Sequence, residues 1–84
     1  MVTKKRFIQS RTAQKVGWGS DRYRRVRGLS QRERQAVKEG HIVWFAYDSW
    51  HYTQSGYKVV KYWGSDFDSR EPTAEELALI QEME

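Results

Sequence analysis

Two short runs of β-branched and aromatic side chains set the limits on what this chain can fold into. Ile42-Val43-Trp44-Phe45-Ala46-Tyr47 and Tyr57-Lys58-Val59-Val60-Lys61-Tyr62-Trp63 are too short and too bulky to prefer helix. Such residues fit a pleated, half-buried surface, so both runs are read as strands. Gln54-Ser55-Gly56 between them suits a hairpin loop. Asp48-Ser49 marks either a bulge or a turn that makes Trp50-His51-Tyr52 a separate short strand. Side chains alternate across a strand, so Trp44 and Phe45 must face opposite ways, as must Tyr62 and Trp63. Two outcomes follow: a helix covers each face of the sheet, or one face stays open as a recognition surface for bases or for a protein, with Lys58 and Lys61 suited to either contact.

Two helices are written in local code. Ser30 followed by Glu33 is a capping box, and Gly40 is a natural C-terminal stop, which predicts a helix over residues 30–39. Leu29, Ala36 and Val37 give it a thin apolar stripe, while Arg32, Arg34, Gln35 and Lys38 occupy the rest of its surface. Thr73 and Glu76 form a second capping box after Pro72, which predicts a helix over 73–83 with Leu77, Ile80 and Met83 inward. Its first-turn acids Glu75 and Glu76 suit the helix dipole. Residues 64–72 (GSDFDSREP) read as loop, and no internal repeat is visible.

With 84 residues, the chain is one small domain with a modest core. Aromatics make up 14 % of it and supply area that cross-links cannot, because there is no cysteine. That absence excludes disulfides and thiolate metal sites, and two histidines are too few for a His-rich zinc centre. No apolar run approaches the roughly 18 residues of a membrane span. Lys4, Lys5 and Arg6 precede only Phe7 and Ile8, so no signal peptide is expected and the chain reads as cytoplasmic. The expected fold is therefore small α+β: an antiparallel aromatic hairpin or three-stranded sheet, a short basic helix and an acidic C-terminal helix. Residues 1–20 read as a basic, partly flexible arm docked by Phe7 and Trp18, with a short strand around Arg6–Gln9 as the alternative, and residues 21–84 as the domain proper.

Function is suggested by charge. Residues 1–40 carry twelve Lys/Arg against three acids, and residues 41–84 carry three against eight, so the +4 total hides balances of +9 and −5. Like charges gathered at one end oppose compaction unless a polyanion screens them or the acidic half folds back on them. The densest stretch is Asp21-Arg22-Tyr23-Arg24-Arg25-Val26-Arg27-Gly28, too short and charged to be a core element. Guanidinium groups bind phosphate bidentately and stack on bases. Arg22, Arg24, Arg25 and Arg27 are therefore candidates to grip a nucleic-acid backbone, with Arg32, Arg34 and Lys38 extending the footprint and Trp18 and Tyr23 stacking. The expected function is a non-enzymatic nucleic-acid-binding accessory or regulatory protein, acting on DNA or RNA without a cofactor.

The alternative is a small protein-binding inhibitor or adaptor, of the kind phage and mobile elements encode, meeting an acidic protein surface or using an exposed aromatic face. Trp50, Tyr52, Tyr62 and Trp63 would form that interface, flanked by Lys58 and Lys61. Pairing of sheet edges in a homodimer is a further option. The acidic terminal helix would close the core, shield the arginine segment until a partner displaces it, or contact a basic protein. No phosphate loop, nucleophile elbow or paired-carboxylate metal spacing is present, and Asp66 and Asp68 read as turn formers.

Two local resemblances add to this. Leu29-Ser30-Gln31-Arg32-Glu33-Arg34 resembles the opening helix of LuxR-type DNA-binding domains over about a dozen residues, although a hairpin replaces the helices that follow there. Ser55-Gly56-Tyr57-Lys58-Val59-Val60 resembles the Ser-Gly-Tyr-Arg strand of RelE/ParE-type toxins, small basic α+β proteins that include ribosome-dependent ribonucleases. That resemblance implies a third function, RNA cleavage, with roles for His51, Tyr52, Lys58, Lys61 and Arg70. The two long N-terminal helices of that family have no counterpart here beyond residues 30–39.

Overall fold

The computed structural model describes residues 3–13, 24–49 and 54–84. After a 3-10 turn at Lys4–Arg6 come strand β1 (Phe7–Gln9), strand β2 (Arg24–Arg25), helix α1 (Gln31–Lys38), strands β3 (Ile42–Ser49), β4 (Gln54–Trp63) and β5 (Asp66–Arg70), and helix α2 (Ala74–Met83). The strands make one mixed sheet in the order β1-β3-β4-β5-β2. Its centre is the antiparallel meander β3-β4-β5, with Trp44 opposite Val59 and Tyr62 opposite Phe67. The α+β architecture expected from the sequence is present, enlarged by a strand at each edge.

The alternation in the two aromatic runs divides the interior into two cores. Val43, Phe45, Val60 and Phe67 lie on one face of the sheet, packed with Val26, Leu29 and the α1 residues Ala36 and Val37. Trp44 and Val59 lie on the other, packed with Phe7 from β1 and Ile80 from α2. Each helix thus covers one face, and no whole face of the sheet is left open. Ile80 is completely buried, and burial of a side chain of this size stabilises by roughly 1.5–3 kcal/mol.

Both capping boxes are formed. Ser30 Oγ accepts from the Glu33 N–H at 3.1 Å while the Glu33 carboxylate accepts from the Ser30 N–H at 2.8 Å. Thr73 and Glu76 repeat the pattern at 3.2 and 2.9 Å. Gly40 ends α1 at a φ of 91°, a backbone angle that side-chain-bearing residues rarely adopt. The stripe that α2 turns inward is Glu76, Leu79 and Ile80, with Leu77 half-buried; Met83, expected inside, is exposed.

Other expectations are corrected. Of the two readings of the basic arm, the short strand is the one formed over Phe7–Gln9: it is an edge strand parallel to β3, with Phe7 opposite Ile42, and the expected docking by Phe7 is present because burying that ring brings the backbone into the ladder. Trp18, expected to help dock it, lies outside the described residues. The arginine segment does enter the core: Arg24 and Arg25 pair with Ser69 and Asp68, and Val26 is buried between sheet and α1. One apolar residue among charges is enough when its neighbours project to solvent.

Residues 66–70, read as loop, are β5. Phe67 and Ser69 point inward while Asp66, Asp68 and Arg70 are half-exposed on the opposite face, a strand alternation hidden by its polar members. The turn that creates it is Gly64-Ser65, joining the paired residues Trp63 and Asp66, with Gly64 at a φ of 59°. Gln54-Ser55-Gly56, read as the hairpin loop, instead opens β4 and pairs with Tyr47-Asp48-Ser49. Trp50-His51-Tyr52, read as a separate strand, lies outside the described residues.

Candidate nucleic-acid interface

The structure divides the cations proposed for phosphate contact. Arg25, Arg27, Arg32, Arg34 and Lys38 all have exposed side chains. Arg24 contributes backbone to β2, but its side chain, like Arg22, Trp18 and Tyr23, lies outside the described residues. Arg34 and Lys38 are one helical turn apart on α1 and share a side of it. The Arg34 guanidinium carbon sits 4.7 Å from the centre of the Phe67 ring. Lys38 Nζ lies 5.6 Å from the Tyr62 ring and 6.0 Å from that of Phe67. Arg32, two residues from Arg34, projects elsewhere: with Arg11, Thr12, Ser30 and Glu33 it lines a shallow hollow of about 380 Å³ beside β1.

The two rings assigned from sequence to a protein interface divide between the faces: Tyr62 shares the α1 side with Arg34 and Lys38, and Trp63 lies on the other side. They are the last two residues of β4, on opposite faces of the sheet, 42 % and 63 % exposed. Tyr62 tilts against Phe67 with ring centres 5.3 Å apart. Trp63 carries Lys61, two residues back on the same face, 5.0 Å from its ring centre. Across the turn, Asp66 pairs in register with Trp63 and binds Arg25 at 3.1 Å. The end of the β4–β5 ribbon thus carries Tyr62 with Arg34 and Lys38 on one face, and Trp63 with Lys61, Arg25, Asp66 and Asp68 on the other. The other two interface candidates, Trp50 and Tyr52, lie outside the described residues.

Sequence reasoning placed the two groups at separate sites because it read residues 64–72 as loop. The signal that would have joined them is Gly-Ser followed by alternating Phe67 and Ser69, which makes a tight ribbon and sets Phe67 beside Tyr62.

The acidic tail spends charge on its own half of the chain. Arg70 Nη1 and Nη2 donate to the two Glu76 carboxylate oxygens at 2.8 and 2.9 Å, although Glu76 is almost completely buried. Hydrogen bonding from Arg70 is the main cause holding the Glu76 carboxyl below the usual range, against the opposing effect of burial. Glu71 lies 3.5 Å from Lys58 Nζ, and the Tyr57 hydroxyl donates to Glu84. Among the described residues, the pair with Asp66 is the one ion pair that Arg25, Arg27, Arg32, Arg34 or Lys38 makes.

Lys58, expected to flank the sheet as a contact residue, is buried, with its ammonium 5.7 Å from the Tyr47 ring. Of the residues implied by the toxin resemblance, Lys58 and Arg70 are thus occupied by Glu71 and Glu76, Lys61 stacks on Trp63, and His51 and Tyr52 lie outside the described residues. Among the described residues, no helix is long and apolar enough to cross a membrane. No protein-family model, curated protein or solved structure matches this chain.

Proposed function

We propose that this protein is a non-enzymatic nucleic-acid-binding protein that holds phosphates with the exposed cations of β2, the segment after it, and α1. The observation that carries the reading is that Arg27, Arg32, Arg34 and Lys38 remain exposed without carboxylate partners among the described residues, while Glu71 and Glu76 of the tail engage Lys58 and Arg70. An unscreened group of like charges raises the energy of the free protein, and a polyanion lowers it while releasing counterions. With four to six phosphates neutralised, log K against log[salt] would fall with a slope of roughly −3 to −5.

The test is a salt titration of binding by the full chain and by the combined variant Arg27→Gln, Arg32→Gln, Arg34→Gln, Lys38→Gln. Weaker binding and a slope shallower by roughly 0.7–0.9 per lost phosphate contact are expected. Binding and slope that match the parent would end the proposal.

A second reading, a protein-binding adaptor, draws on the exposure of Trp63 and Tyr62, since aromatic side chains are enriched at protein interfaces. Its complex would survive both added salt and nuclease treatment, and would weaken on Trp63→Ala.

A further inference from the structure

We propose that Tyr62 and Trp63, at the end of the β4–β5 ribbon, are a base-stacking platform that makes single-stranded nucleic acid the preferred ligand. The proposal rests on the nucleic-acid reading and names the form of ligand that its site takes. Consecutive strand residues point to opposite faces, so the two rings project from the two sides of one narrow ribbon immediately before its turn. A ring 63 % exposed beside a tight turn buries little apolar area in this fold, so Trp63 is not placed there by the core.

The surroundings decide between ligands. Lys38 approaches the Tyr62 ring, Lys61 lies over Trp63, and Arg34 lies over Phe67, which itself backs Tyr62. Each ring thus has a cation close to its centre, at 5.6 Å for Tyr62 and 5.0 Å for Trp63, so a base stacked on the exposed part of either ring lies near a group able to take its phosphate. Gly64 and Ser65 at the turn offer neither the Arg, Asn or Gln fork that reads a base pair in the major groove nor an apolar wedge. What the end of the ribbon presents to a base is exposed ring surface, with Tyr62 42 % and Trp63 63 % exposed. In a duplex the faces of the bases are already stacked on their neighbours, whereas an unpaired strand offers them freely. A protein partner would meet the same rings; on the Tyr62 side Arg34 and Lys38 have no carboxylate partner among the described residues and suit a polyanion, whereas Asp66 and Asp68 accompany Lys61 and Arg25 on the Trp63 side.

The experiment is fluorescence anisotropy with labelled mixed-sequence oligonucleotides of about 16 nucleotides, as single-stranded DNA, single-stranded RNA and the matching DNA duplex. The proteins are the full chain, Trp63→Ala, Trp63→Phe and Tyr62→Ala, each checked for folding by circular dichroism. Expected is tighter binding of one or both single strands than of the duplex, a roughly five- to 150-fold loss for Trp63→Ala, substantial retention in Trp63→Phe, and an unchanged salt slope in all three variants. A duplex bound as tightly as the single strands overturns the platform using the parent protein alone. So does a Trp63→Ala protein that binds single strands like the parent. In either case a persisting salt slope leaves the broader nucleic-acid reading standing. Failure of the parent to bind any of the three probes removes both, and dimerisation lost on Trp63→Ala without loss of single-strand binding assigns the rings to a second copy instead.

Discussion

Two carboxylates, Glu33 and Glu76, are buried at helix starts and stay charged because their lone pairs are used. Glu33 is desolvated, which by itself raises its pKa, but the Thr12 hydroxyl at 2.7 Å, the Ser30 N–H and the Ser10 and Ser30 hydroxyls together bring it below the usual value. Both groups are therefore depressed on folding. Their stabilisation is complete above the unfolded-state value near 4.5 and is lost as pH falls through their lower folded-state values. Unfolding in urea between neutral pH and about pH 2 should show stability declining below 4.5, and Glu33→Gln should flatten part of that decline. Arg70→Met should be costly at neutral pH, about 3 kcal/mol, because it leaves Glu76 charged and buried without its fork. Arg70→Lys should recover only part, since an ammonium cannot match both oxygens. Denaturant midpoints of the two variants check this, and equal midpoints for Arg70→Met and the parent would contradict it.

At the scale of elements, each helix is held by a local cap and a few long-range contacts. α2 reaches the sheet chiefly through Ile80, which meets Phe7, Trp44 and Val59. Ile80→Ala should cost roughly 2–5 kcal/mol by lost transfer energy and a residual cavity, read as a lowered melting midpoint. The β4–β5 ribbon depends instead on its turn. Gly64 has a φ of 59° with open space where a Cβ would stand, so Gly64→Ala meets backbone strain but no clash. That substitution should destabilise by about 1–2 kcal/mol, and hydrogen exchange should speed up first in β5. If Tyr62 and Trp63 act from the end of this ribbon, the same change should weaken single-strand binding without altering any side chain of the surface.

For the whole molecule, the central electrostatic fact is the separation of balances, +9 over residues 1–40 and −5 over 41–84. The tail carboxylates of Glu71 and Glu76 bind cations of β4 and β5, so they do little to offset repulsion among Arg27, Arg32, Arg34 and Lys38. Moderate salt shortens the screening length to about 8–10 Å, so raising it from low to physiological strength should raise the melting midpoint while weakening nucleic-acid binding. Opposite responses to the same variable separate charge repulsion within the fold from charge attraction to a ligand. A melting midpoint that falls with salt would mean that internal ion pairs outweigh the repulsion.

What the chain's own order determined is the part governed by neighbours in sequence. Both helices carry complete capping boxes within four residues, and the two strand runs declare themselves by side-chain shape, so α1, α2, β3 and the body of β4 were legible. β5 was not, because Asp66-Phe67-Asp68-Ser69-Arg70 has too few apolar residues to signal a strand without a partner beside it, and for the same reason Phe7-Ile8-Gln9 left a strand and a docked arm both open. Of the candidate surface, the exposed arginines and rings could be named from composition and alternation. That Arg34 and Lys38 stand over the rings of Phe67 and Tyr62, while Arg32 leaves for the hollow by β1, was decided only when the meander brought β5 against β4 and α1 lay across one face. Those contacts join residues 24 to 33 positions apart, and no local preference encodes which ring a cation will meet across that distance.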